Sequence, residues 1–332
     1  MILQENIPFS KFCSLRISDQ ARYYCEVKDV EELTEVLNFC HKEGLESFVI
    51  GEGTNLVATQ PFRGVIVRNS ISGIHKLNEL TIEVASGENW NDFVRWTLKN
   101  ELFGLENLAL IPGTVGAGPT QNIGAYGSEI SKYIKSISTI DRRDGSNHVF
   151  TQEECEFGYR TSIFKKKRDL FILSVTFNLS KIPRLNYSYD SLKEQIDLLG
   201  FDEGLITPWD IYKVVSDVRN RKLPDHQSFP NVGSFFKNVY LSKEEFLNLD
   251  LPFQAPVFKN EKLYKIPAAF ILQETGWKGK RIGNIGMSDL HSLVLVTYEE
   301  VKGEEILLFA KNIIDDVYNK TGLRLEIEPT IL

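Results

Sequence analysis

A glycine-rich segment between residues 111 and 127 constrains the fold of this chain more than any other feature of its sequence. It reads IPGTVGAGPTQNIGAYG and holds five glycines, and a shorter glycine turn, GEGTNL, lies at residues 51–56. Glycine allows positive φ angles and close backbone approach, so N–H groups in such loops can hold a pyrophosphate. Neither segment has the third glycine of a Rossmann loop, and there is no GxxxxGK[ST] motif. Ordinary turns are the alternative, and the glycine density argues against them for the longer segment.

The composition is that of a globular protein of two or three domains. The chain has 332 residues, of which 42% are hydrophobic and 25% are charged, and its net charge is −7. This charge argues against nucleic-acid binding, because duplex phosphates require a basic surface. The N-terminal residues resemble no signal peptide, and no apolar run is long enough for a transmembrane helix. We therefore expect a cytoplasmic protein.

The cysteines and histidines give no support for a metal site. Cys13, Cys25, Cys40 and Cys155 show no CxxC spacing, and the five histidines include no HxxxH pair. In a chain without an export signal, buried free thiols are the expected state.

Hydrophobic periodicity predicts a mixture of helices and strands without regular βα alternation, which indicates an α+β fold. Helices are predicted at 29–43, 90–98, 207–219 and 303–320. Strands are predicted at 47–50, 65–67, 81–85, 134–140, 147–150, 171–179 and 323–328. The segment IPRLNYSYDS, residues 182–191, is predicted to be a loop or linker.

Three further segments contain candidate chemical groups. Arg160 lies between aromatic residues in YRTSIFK and could hold a carboxylate with its planar fork. The segment GSFFKN, residues 233–238, places a hydroxyl, an ammonium and an amide around two aromatic rings. Glu328 lies at the end of the last predicted strand. Taken singly, these segments are more often a surface loop, an apolar core and a solvated strand end.

Taken together, the segments resemble the UDP-N-acetylenolpyruvoylglucosamine reductase family, in the type that keeps a tyrosine loop over the substrate. The matching stretches occur in the family's order, as GEGTNLV, ASGENW, GLENLALIPGTVGAGPTQNIGAYGSEI, FGYRTSIFK, RKLPD, GSFFKN and LEIEP. Two positions depart from the family. Residues 11–14 read KFCS where Asn-Thr-Phe is usual, and Thr330 replaces an arginine often found near the flavin.

The resemblance implies an α+β fold with a two-part FAD-binding module of the vanillyl-alcohol oxidase type and a separate α+β substrate-binding domain. We assign residues 1–70 to the first FAD-binding subdomain. Residues 71–213, joined by a C-terminal strand within 321–332, form the second. Residues 214–320 form the substrate-binding domain.

The resemblance also implies a reaction, the NADPH-dependent reduction of UDP-N-acetylglucosamine enolpyruvate to UDP-N-acetylmuramate. This oxidoreductase step uses bound FAD and belongs to peptidoglycan precursor synthesis in cell-wall biogenesis. The expected partner is the small-molecule UDP-sugar, with no nucleic acid, membrane or metal. We expect a monomer, although the sequence does not fix the oligomeric state.

Two alternatives remain at this point. Another FAD oxidoreductase of the same fold, with covalently held flavin, would require a reactive His or Cys in the flavin loops. Residues 51–57 and 111–127 contain neither. A non-catalytic UDP-sugar-binding protein would have no reason to keep Arg160, Ser234 and Glu328 together.

Three catalytic roles follow from the resemblance. Arg160 is expected to face the substrate carboxylate, Ser234 to donate a proton, and Glu328 to face the reacting carbon. Because a serine hydroxyl is a weak acid, Lys237 or the local field is expected to assist Ser234.

Binding roles follow in the same way. The first flavin-phosphate loop is expected to use Gly51, Gly53, Thr54 and Asn55, and the second Pro112, Gly113, Gly116, Asn122, Gly124, Ala125 and Gly127. Tyr189 is expected to close over the nucleotide. Lys222 and Asn238 are expected to hold the UDP part or the cofactor phosphates.

Overall fold

The chain passes repeatedly between two structural units in the computed structural model, which describes residues 2–201, 203–225, 228–260 and 262–332. The first unit comprises Met1–Glu5, Tyr23–Glu52 and Arg63–Arg221. The second comprises Asn6–Arg22, Gly53–Phe62 and Lys222–Leu332. The division into three domains with bounds at 70, 213 and 320 stays a prediction.

The described residues form eight α-helices and twenty strands. The helices are α1 Val30–Glu43, α2 Trp90–Lys99, α3 Ile163–Lys166, α4 Asp190–Leu199, α5 Pro208–Lys222, α6 Lys243–Leu247, α7 Ala268–Glu274 and α8 Gly303–Thr321. The strands are β1 Gln4–Pro8, β2 Gln20–Val27, β3 Ser47–Ile50, β4 Leu56–Val57, β5 Phe62–Asn69, β6 Ile74–Lys76, β7 Thr81–Ala85, β8 Gly124–Ala125, β9 Ser128–Glu129, β10 Ile134–Asp141, β11 Asn147–Thr151, β12 Leu170–Asn178, β13 Asn231–Ser234, β14 Val239–Leu241, β15 Phe258–Asn260, β16 Leu263–Ile266, β17 Arg281–Ile282, β18 Ile285–Met287, β19 Val294–Thr297 and β20 Thr330–Ile331. Short 3-10 helices lie at Phe9–Lys11, Glu106–Leu108, Pro119–Gln121, Ile130–Tyr133 and Glu203–Leu205.

Local signals set the helix ends where the sequence predicts them. The side chain of Asp29 accepts a hydrogen bond from the backbone N–H of Glu32 at the start of α1, and Gly44 ends that helix with a φ of 63°. Such a left-handed residue is the usual end of a helix, and glycine adopts it without strain. The helix α5 begins at Pro208, because proline fits the first helical position.

The first unit is built around a five-stranded sheet in the order β11-β10-β12-β7-β6, in which neighbouring strands are antiparallel. Its core contains Trp90, Phe93 and Phe177, and the rings of Phe93 and Phe177 lie 4.9 Å apart. A second sheet has the order β1-β2-β5-β3, and β3 pairs with β5 in parallel. The predicted strands 47–50 and 81–85 have these bounds in the structure.

The second unit contains an antiparallel sheet in the order β13-β19-β18-β17 and a smaller one in the order β14-β16-β15. The helix α8 buries the face that its periodicity predicts, with Ile306, Phe309, Ala310, Ile313 and Val317 inside. The ring of Phe309 meets that of Trp277 edge to face at 5.8 Å.

The predicted strand 323–328 is wrong. Leu323 and Leu325 are buried, as the alternation suggests, but the segment forms only an isolated bridge between Ile327 and Phe236. The last strand, β20, lies at Thr330–Ile331 and pairs in parallel with β4. The alternation in this segment therefore indicates which side chains are buried. It does not indicate a strand, because the backbone pairs with its neighbour only at the bridge to Phe236.

The end of the segment predicted as a loop or linker holds the start of a helix instead. Helix α4 begins at Asp190 and buries Leu192 and Ile196. Two buried positions four residues apart are too weak a pattern to separate a short helix from a loop.

Other expectations concern membranes, metals and thiols. Among the described residues, no helix combines the length and apolarity needed to span a bilayer. No group of three His, Cys, Asp or Glu side chains in that part of the chain could hold a metal ion. All four cysteines are free and buried, as predicted.

Gly303 lies at the first position of α8, directly against the backbone of the segment that follows the first glycine turn. A Cβ atom at Gly303 would lie 1.6 Å from the carbonyl oxygen of Ala58. The N–H of Gly303 also donates to the carboxylate of Asp19 over 2.8 Å. The start of α8 therefore has no room for any side chain at this position.

We predict that Gly303→Ala destabilises the protein by about 3 kcal/mol, because the added methyl group must displace backbone rather than a flexible side chain. Urea denaturation followed by tryptophan fluorescence measures this loss. Glu304→Ala, at the exposed next position of the same helical turn, is the matched control. Equal effects of the two substitutions would contradict a packing role for Gly303.

Candidate active site

The two glycine segments are joined through the carboxylate of Glu52. Its Oε2 accepts the backbone N–H of Gly113 at 3.0 Å, and its Oε1 accepts the amide of Asn89 at 2.8 Å. Asn89 also begins α2 by accepting the N–H of Asp92. One partly buried carboxylate thus fixes the first turn, the second loop and the start of a helix relative to one another.

Glycine is required where these loops approach their neighbours. A Cβ atom at Gly51 would lie 2.6 Å from Oγ1 of Thr114, and one at Gly116 would lie 2.4 Å from Cβ of Ser86. Gly113 has a φ of 120°, which side chains rarely allow. Glycine at these three positions is therefore required by the close packing and the backbone conformation of the two loops in the first unit.

The donor chemistry of these loops fits the pyrophosphate of FAD. Residues 51–57 and 111–127 contain no Lys or Arg, so the groups they can offer to a phosphate are backbone N–H groups, hydroxyls and amides. Backbone N–H groups in close-packed turns form anion-binding concavities without any charged side chain. Gly51, Pro112, Gly113 and Gly116 lie in this part of the first unit.

The rest of the first glycine turn belongs to the second unit. Gly53 has a φ of 66°, and a Cβ atom there would lie 2.2 Å from the carbonyl oxygen of Phe12. The N–H of Ser14 donates to the carbonyl of Gly53, and the N–H of Thr330 donates to that of Asn55. The two departures from the family pattern, at 11–14 and 330, therefore support the turn through their backbone atoms.

Cys13 lies in this same part of the second unit. Burial raises the pKa of its thiol to about 12. The thiol is therefore protonated near neutral pH and is a poor nucleophile.

Arg160 is held against the second glycine loop by its own segment. Its Nη2 donates to the carbonyl of Gly124 at 2.8 Å, and Ser162 Oγ donates to the carbonyl of Thr120 at the same distance. The buried amide of Asn122 donates to the carbonyl of Gly158 at 3.1 Å. The turn from Gly158 to Thr161 places Arg160 at a φ of 53°. Three separate contacts thus hold the segment that carries this arginine, and one of them is made by Arg160 itself.

Tyr126 and Gly127 form the two-residue turn of the hairpin between β8 and β9. Their φ values are 47° and 78°, the signs that a type I′ turn requires. Tyrosine is unusual in such a turn, and its ring packs edge to face on Tyr189 with centroids 5.5 Å apart. The predicted lid residue, 47% exposed, therefore rests on the second glycine loop.

Asparagine side chains secure the segment that precedes Tyr189. Asn107 Nδ2 donates to the carbonyl of Tyr126 at 3.0 Å and to that of Asn186 at 2.7 Å. Asn186 Nδ2 donates to the carbonyl of Gly127 at 3.2 Å. The segment before Tyr189 is thus bound to the turn by asparagine side chains and by one aromatic contact.

Ser234 and Glu328 come from two backbone segments that bond to each other in the second unit. Ser234 ends β13 opposite Val294, and the N–H of Glu328 donates to the carbonyl of Phe235 at 2.9 Å. Glu328 is buried, with 8% of its surface exposed. Phe235 and Phe236 are fully buried, so the apolar-core alternative holds for these rings. The rings anchor the segment that carries Ser234.

The remaining predicted residues have identifiable surroundings. Lys237 Nζ lies 2.9 Å from a carboxylate oxygen of Glu326. Asn238 Oδ1 accepts the N–H of Ala268 at 3.1 Å and so fixes the start of α7. Lys222 is the exposed last residue of α5. The assistance to Ser234, by Lys237 or by the local field, stays a prediction.

Sequence reasoning missed Glu52, Asn89, Asn107 and Tyr126. All four lie inside the stretches that carry the family resemblance. For Glu52, its position as a charged residue between two glycines was the one feature of the sequence that could have indicated a structural role. The contacts of the other three depend on residues about 20 or more positions away, which no local pattern reveals.

We predict that Glu52→Gln weakens retention of the FAD that the resemblance implies by about tenfold, because an amide replaces a charge-assisted acceptor. Flavin fluorescence during dilution of the holoprotein measures the dissociation constant. Glu79→Gln, at an exposed position of the same unit, is the control. An unchanged dissociation constant in Glu52→Gln would show that the bridge does not matter for the cofactor.

Comparison with known proteins gives two family matches. Residues 21–151 match an FAD binding domain. Residues 224–332 match the C-terminal domain of UDP-N-acetylenolpyruvoylglucosamine reductase. These matches agree with the predicted fold class, which combines an FAD-binding module with a separate C-terminal domain.

Full-length relatives carry the same enzyme name. The UDP-N-acetylenolpyruvoylglucosamine reductase of Pseudomonas syringae pv. syringae is 35% identical over 99% of this chain and 98% of its own length. That of Pseudomonas aeruginosa is 35% identical with the same coverage. That of Xylella fastidiosa strain M12 is 36% identical over 100% of this chain and 96% of its own.

A solved structure supports the fold. The crystal structure of the reductase from Thermus caldophilus aligns with a TM-score of 0.70 at 20% identity, covering 99% of each chain. The predicted α+β fold is thereby confirmed, and the family match over residues 21–151 confirms its FAD-binding module. From the identities with curated relatives over nearly its whole length, the chain belongs to the UDP-N-acetylenolpyruvoylglucosamine reductase family.

Proposed function

We propose that this chain reduces UDP-N-acetylglucosamine enolpyruvate to UDP-N-acetylmuramate with NADPH as reductant and FAD as cofactor. Membership of the reductase family supports the reaction class, and the FAD-binding match supports the cofactor. The structural observation that carries the proposal is the fixed position of Arg160 on the second glycine loop. A guanidinium held by a pyrophosphate-type loop suits a substrate with a carboxylate next to the flavin.

When bound, the flavin supplies the hydride that reduces the enol ether. Addition of hydride to the terminal carbon would place negative charge on the neighbouring carbon and its carboxylate. Arg160 is proposed to stabilise this charge, because a guanidinium is a permanent cation with a planar fork suited to carboxylates. Its contact with the Gly124 carbonyl orients it before the substrate arrives.

Ser234 is proposed to donate the proton that completes the reduction. The segment from Ser234 to Lys237 is held on both sides, by Leu293 through the N–H of Phe235 and by Glu326 through the N–H of Lys237. Glu328, buried beside this segment, is proposed to position the reacting atoms. A rigid backbone at this point would keep the serine hydroxyl aligned with the carbon that it protonates.

The remaining proposed roles concern binding. Tyr189, whose ring contacts that of Tyr126, would close over the nucleotide. Lys222 and Asn238 would hold the UDP part or the cofactor phosphates. The other predicted loop residues would meet the flavin phosphates. We propose that the protein acts in the cytoplasm as a monomer. We also propose that it has no nucleic-acid partner, which its net charge of −7 supports.

The covalent-flavin alternative has a candidate nucleophile close to the first loop. Cys13 packs against Gly53, but the raised pKa of its thiol makes it a poor nucleophile. Noncovalent FAD is therefore favoured, and acid precipitation of the protein should release the flavin into the supernatant. Flavin that stayed with the precipitate would favour the alternative.

We predict that Ser234→Ala separates the two half-reactions. Flavin reduction by NADPH requires no proton for an enol carbon, so its rate should stay close to that of the wild type. Reoxidation by the UDP-sugar should slow by about 10²–10⁴-fold, the usual contribution of general acid catalysis. Stopped-flow absorbance of the flavin measures each rate. Ser234→Cys should retain more activity than Ser234→Ala, since a thiol can donate a proton.

Equal and small losses in both half-reactions would instead assign Ser234 a purely structural role. Ser242→Ala serves as a control for a serine removed from the same unit. Its hydroxyl caps α6 by accepting the N–H of Glu245. That substitution should reduce stability without changing the ratio of the two rates.

We predict that Arg160→Lys is costly although the charge is kept. An ammonium cannot reproduce the bidentate fork, and the bond from Nη2 to the Gly124 carbonyl would be lost. kcat/KM for the UDP-sugar should fall about 100-fold, while FAD content stays near that of the wild type. Steady-state NADPH oxidation measures the change. Full activity would place the carboxylate on another residue.

A further inference from the structure

Glu129 is a half-buried acidic residue that lies beside Arg160 in the first unit. It is on β9, where it pairs with Gly124 of β8. A Cβ atom at Gly124 would lie 2.9 Å from Cγ of Glu129 and 3.1 Å from Nη1 of Arg160. The two side chains therefore lie over the same backbone position, and glycine at that position leaves room for both.

The carboxylate of Glu129 is held in place by the amide of Asn122. Oε2 of Glu129 accepts a hydrogen bond from Nδ2 of Asn122 at 3.0 Å. The same nitrogen donates to the carbonyl of Gly158 at 3.1 Å, and Oδ1 of Asn122 accepts the N–H of Ser131 at 3.2 Å. Because the side chain of Asn122 is buried, loss of a partner would leave a polar group unsatisfied away from water.

These contacts connect Glu129 to the backbone that carries Arg160. Gly158 begins the turn that ends at Thr161, and Arg160 lies in this turn with a φ of 53°. A left-handed conformation is unfavourable for arginine and persists only where the surroundings over-determine it. The bond from Asn122 to the carbonyl of Gly158 holds the start of the turn, and Glu129 orients the amide that makes this bond. A change at Glu129 therefore reaches Arg160 through two hydrogen bonds.

The charges of the two side chains favour the same arrangement. A carboxylate attracts a nearby guanidinium and restricts the positions that it takes. Nη2 of Arg160 donates to the carbonyl of Gly124, and Nη1 is the nitrogen near the Cβ position that Glu129 also approaches. The guanidinium thus has a carbonyl bonded to one nitrogen and an acidic side chain close to the other.

We propose that Glu129 is a positioning residue for reduction of the enolpyruvyl substrate and that it acts through Arg160. The inference rests on the proposed function, in which Arg160 stabilises the charge that develops on the substrate carboxylate. That stabilisation depends on the orientation of the guanidinium before the substrate arrives, because a preorganised charge needs no rearrangement during the reaction. Flavin reduction by NADPH involves no enolpyruvyl carboxylate, so Glu129 matters for the second half-reaction alone.

The test compares Glu129→Ala with Glu83→Ala in the FAD-loaded protein under anaerobic conditions. Glu83 is a matched control, since it is a half-buried glutamate on β7 of the same unit and accepts the hydroxyl of Ser174 at 2.8 Å. Stopped-flow absorbance of the flavin gives the rate of each half-reaction.

Glu129→Ala should slow reoxidation by UDP-N-acetylglucosamine enolpyruvate about 30-fold, because a misplaced catalytic group loses its effect steeply. Flavin reduction by NADPH should change by less than about twofold in both variants, and so should reoxidation in Glu83→Ala.

A double substitution separates positioning of Arg160 from a general structural role. Adding Glu129→Ala to Arg160→Lys should slow reoxidation by less than about threefold beyond Arg160→Lys alone, because residues that act as a unit are not additive. Glu129→Gln keeps the reach of the side chain and one acceptor oxygen for Asn122, so it should slow reoxidation by only about threefold. This variant also keeps the test valid should Glu129→Ala fail to fold.

Three results would overturn the inference. Reoxidation at the wild-type rate in both Glu129 variants would remove the residue from the reaction. Equal losses in the two half-reactions would assign it a structural role. A loss from Glu129→Ala that multiplied in full with that from Arg160→Lys would show that Glu129 acts independently of Arg160. A wild-type protein whose reduced flavin was not reoxidised by the UDP-sugar would instead refute the proposed function, and so is distinguishable from the other three.

Discussion

The bridge made by the Glu52 carboxylate is the interaction on which the cofactor-binding part of the first unit depends. It joins two loops that are 61 residues apart in the sequence and also reaches the residue that starts α2. Neither loop could hold a defined shape alone, because glycine-rich backbone loses more conformational freedom on folding than any other. A negative charge beside the proposed phosphate site is unfavourable in itself, and here each of its oxygens accepts a hydrogen bond from an N–H donor. The carboxylate can therefore fix the backbone without competing for the ligand's place.

The proposed catalytic residues occur in both units, and each unit supports its own residues in a different way. In the first unit, Arg160 is positioned by side-chain to carbonyl contacts within a loop region. In the second, Ser234 and Glu328 lie on segments joined by backbone hydrogen bonds and anchored by two buried phenylalanines. An arginine proposed to stabilise a delocalised charge can act from a loop, because its attraction to that charge depends weakly on exact position. A proposed proton donor requires tighter alignment with the atom that it protonates.

The sequence predicts the elements whose signals are local and continuous. The helices α1 and α8 and the strand β7 have clear periodicity and end signals, and the structure agrees with the predicted elements closely. The predicted strand 323–328 failed because alternation records which side chains are buried, not which backbone groups are paired. Helix α4 escaped notice because its apolar face has two residues. For the site, family resemblance supplied the proposed catalytic residues, but the role of Glu52 arises only from tertiary contacts.

The second glycine loop and the turn from Gly158 to Thr161 contain three residues that are not glycines yet adopt left-handed backbone angles, namely Asn122, Tyr126 and Arg160. Such conformations cost on the order of 1–3 kcal/mol each and persist only where the surroundings over-determine them. Glycine at any of these positions would relieve the backbone, but it would remove an amide, a ring or a guanidinium that the region uses. Substitutions chosen for thermostability alone would therefore tend to erase function here. The hairpin and turns of this region store backbone strain, which the rest of the chain must offset with its own stability. That stability therefore limits how many further destabilising substitutions the site can accept.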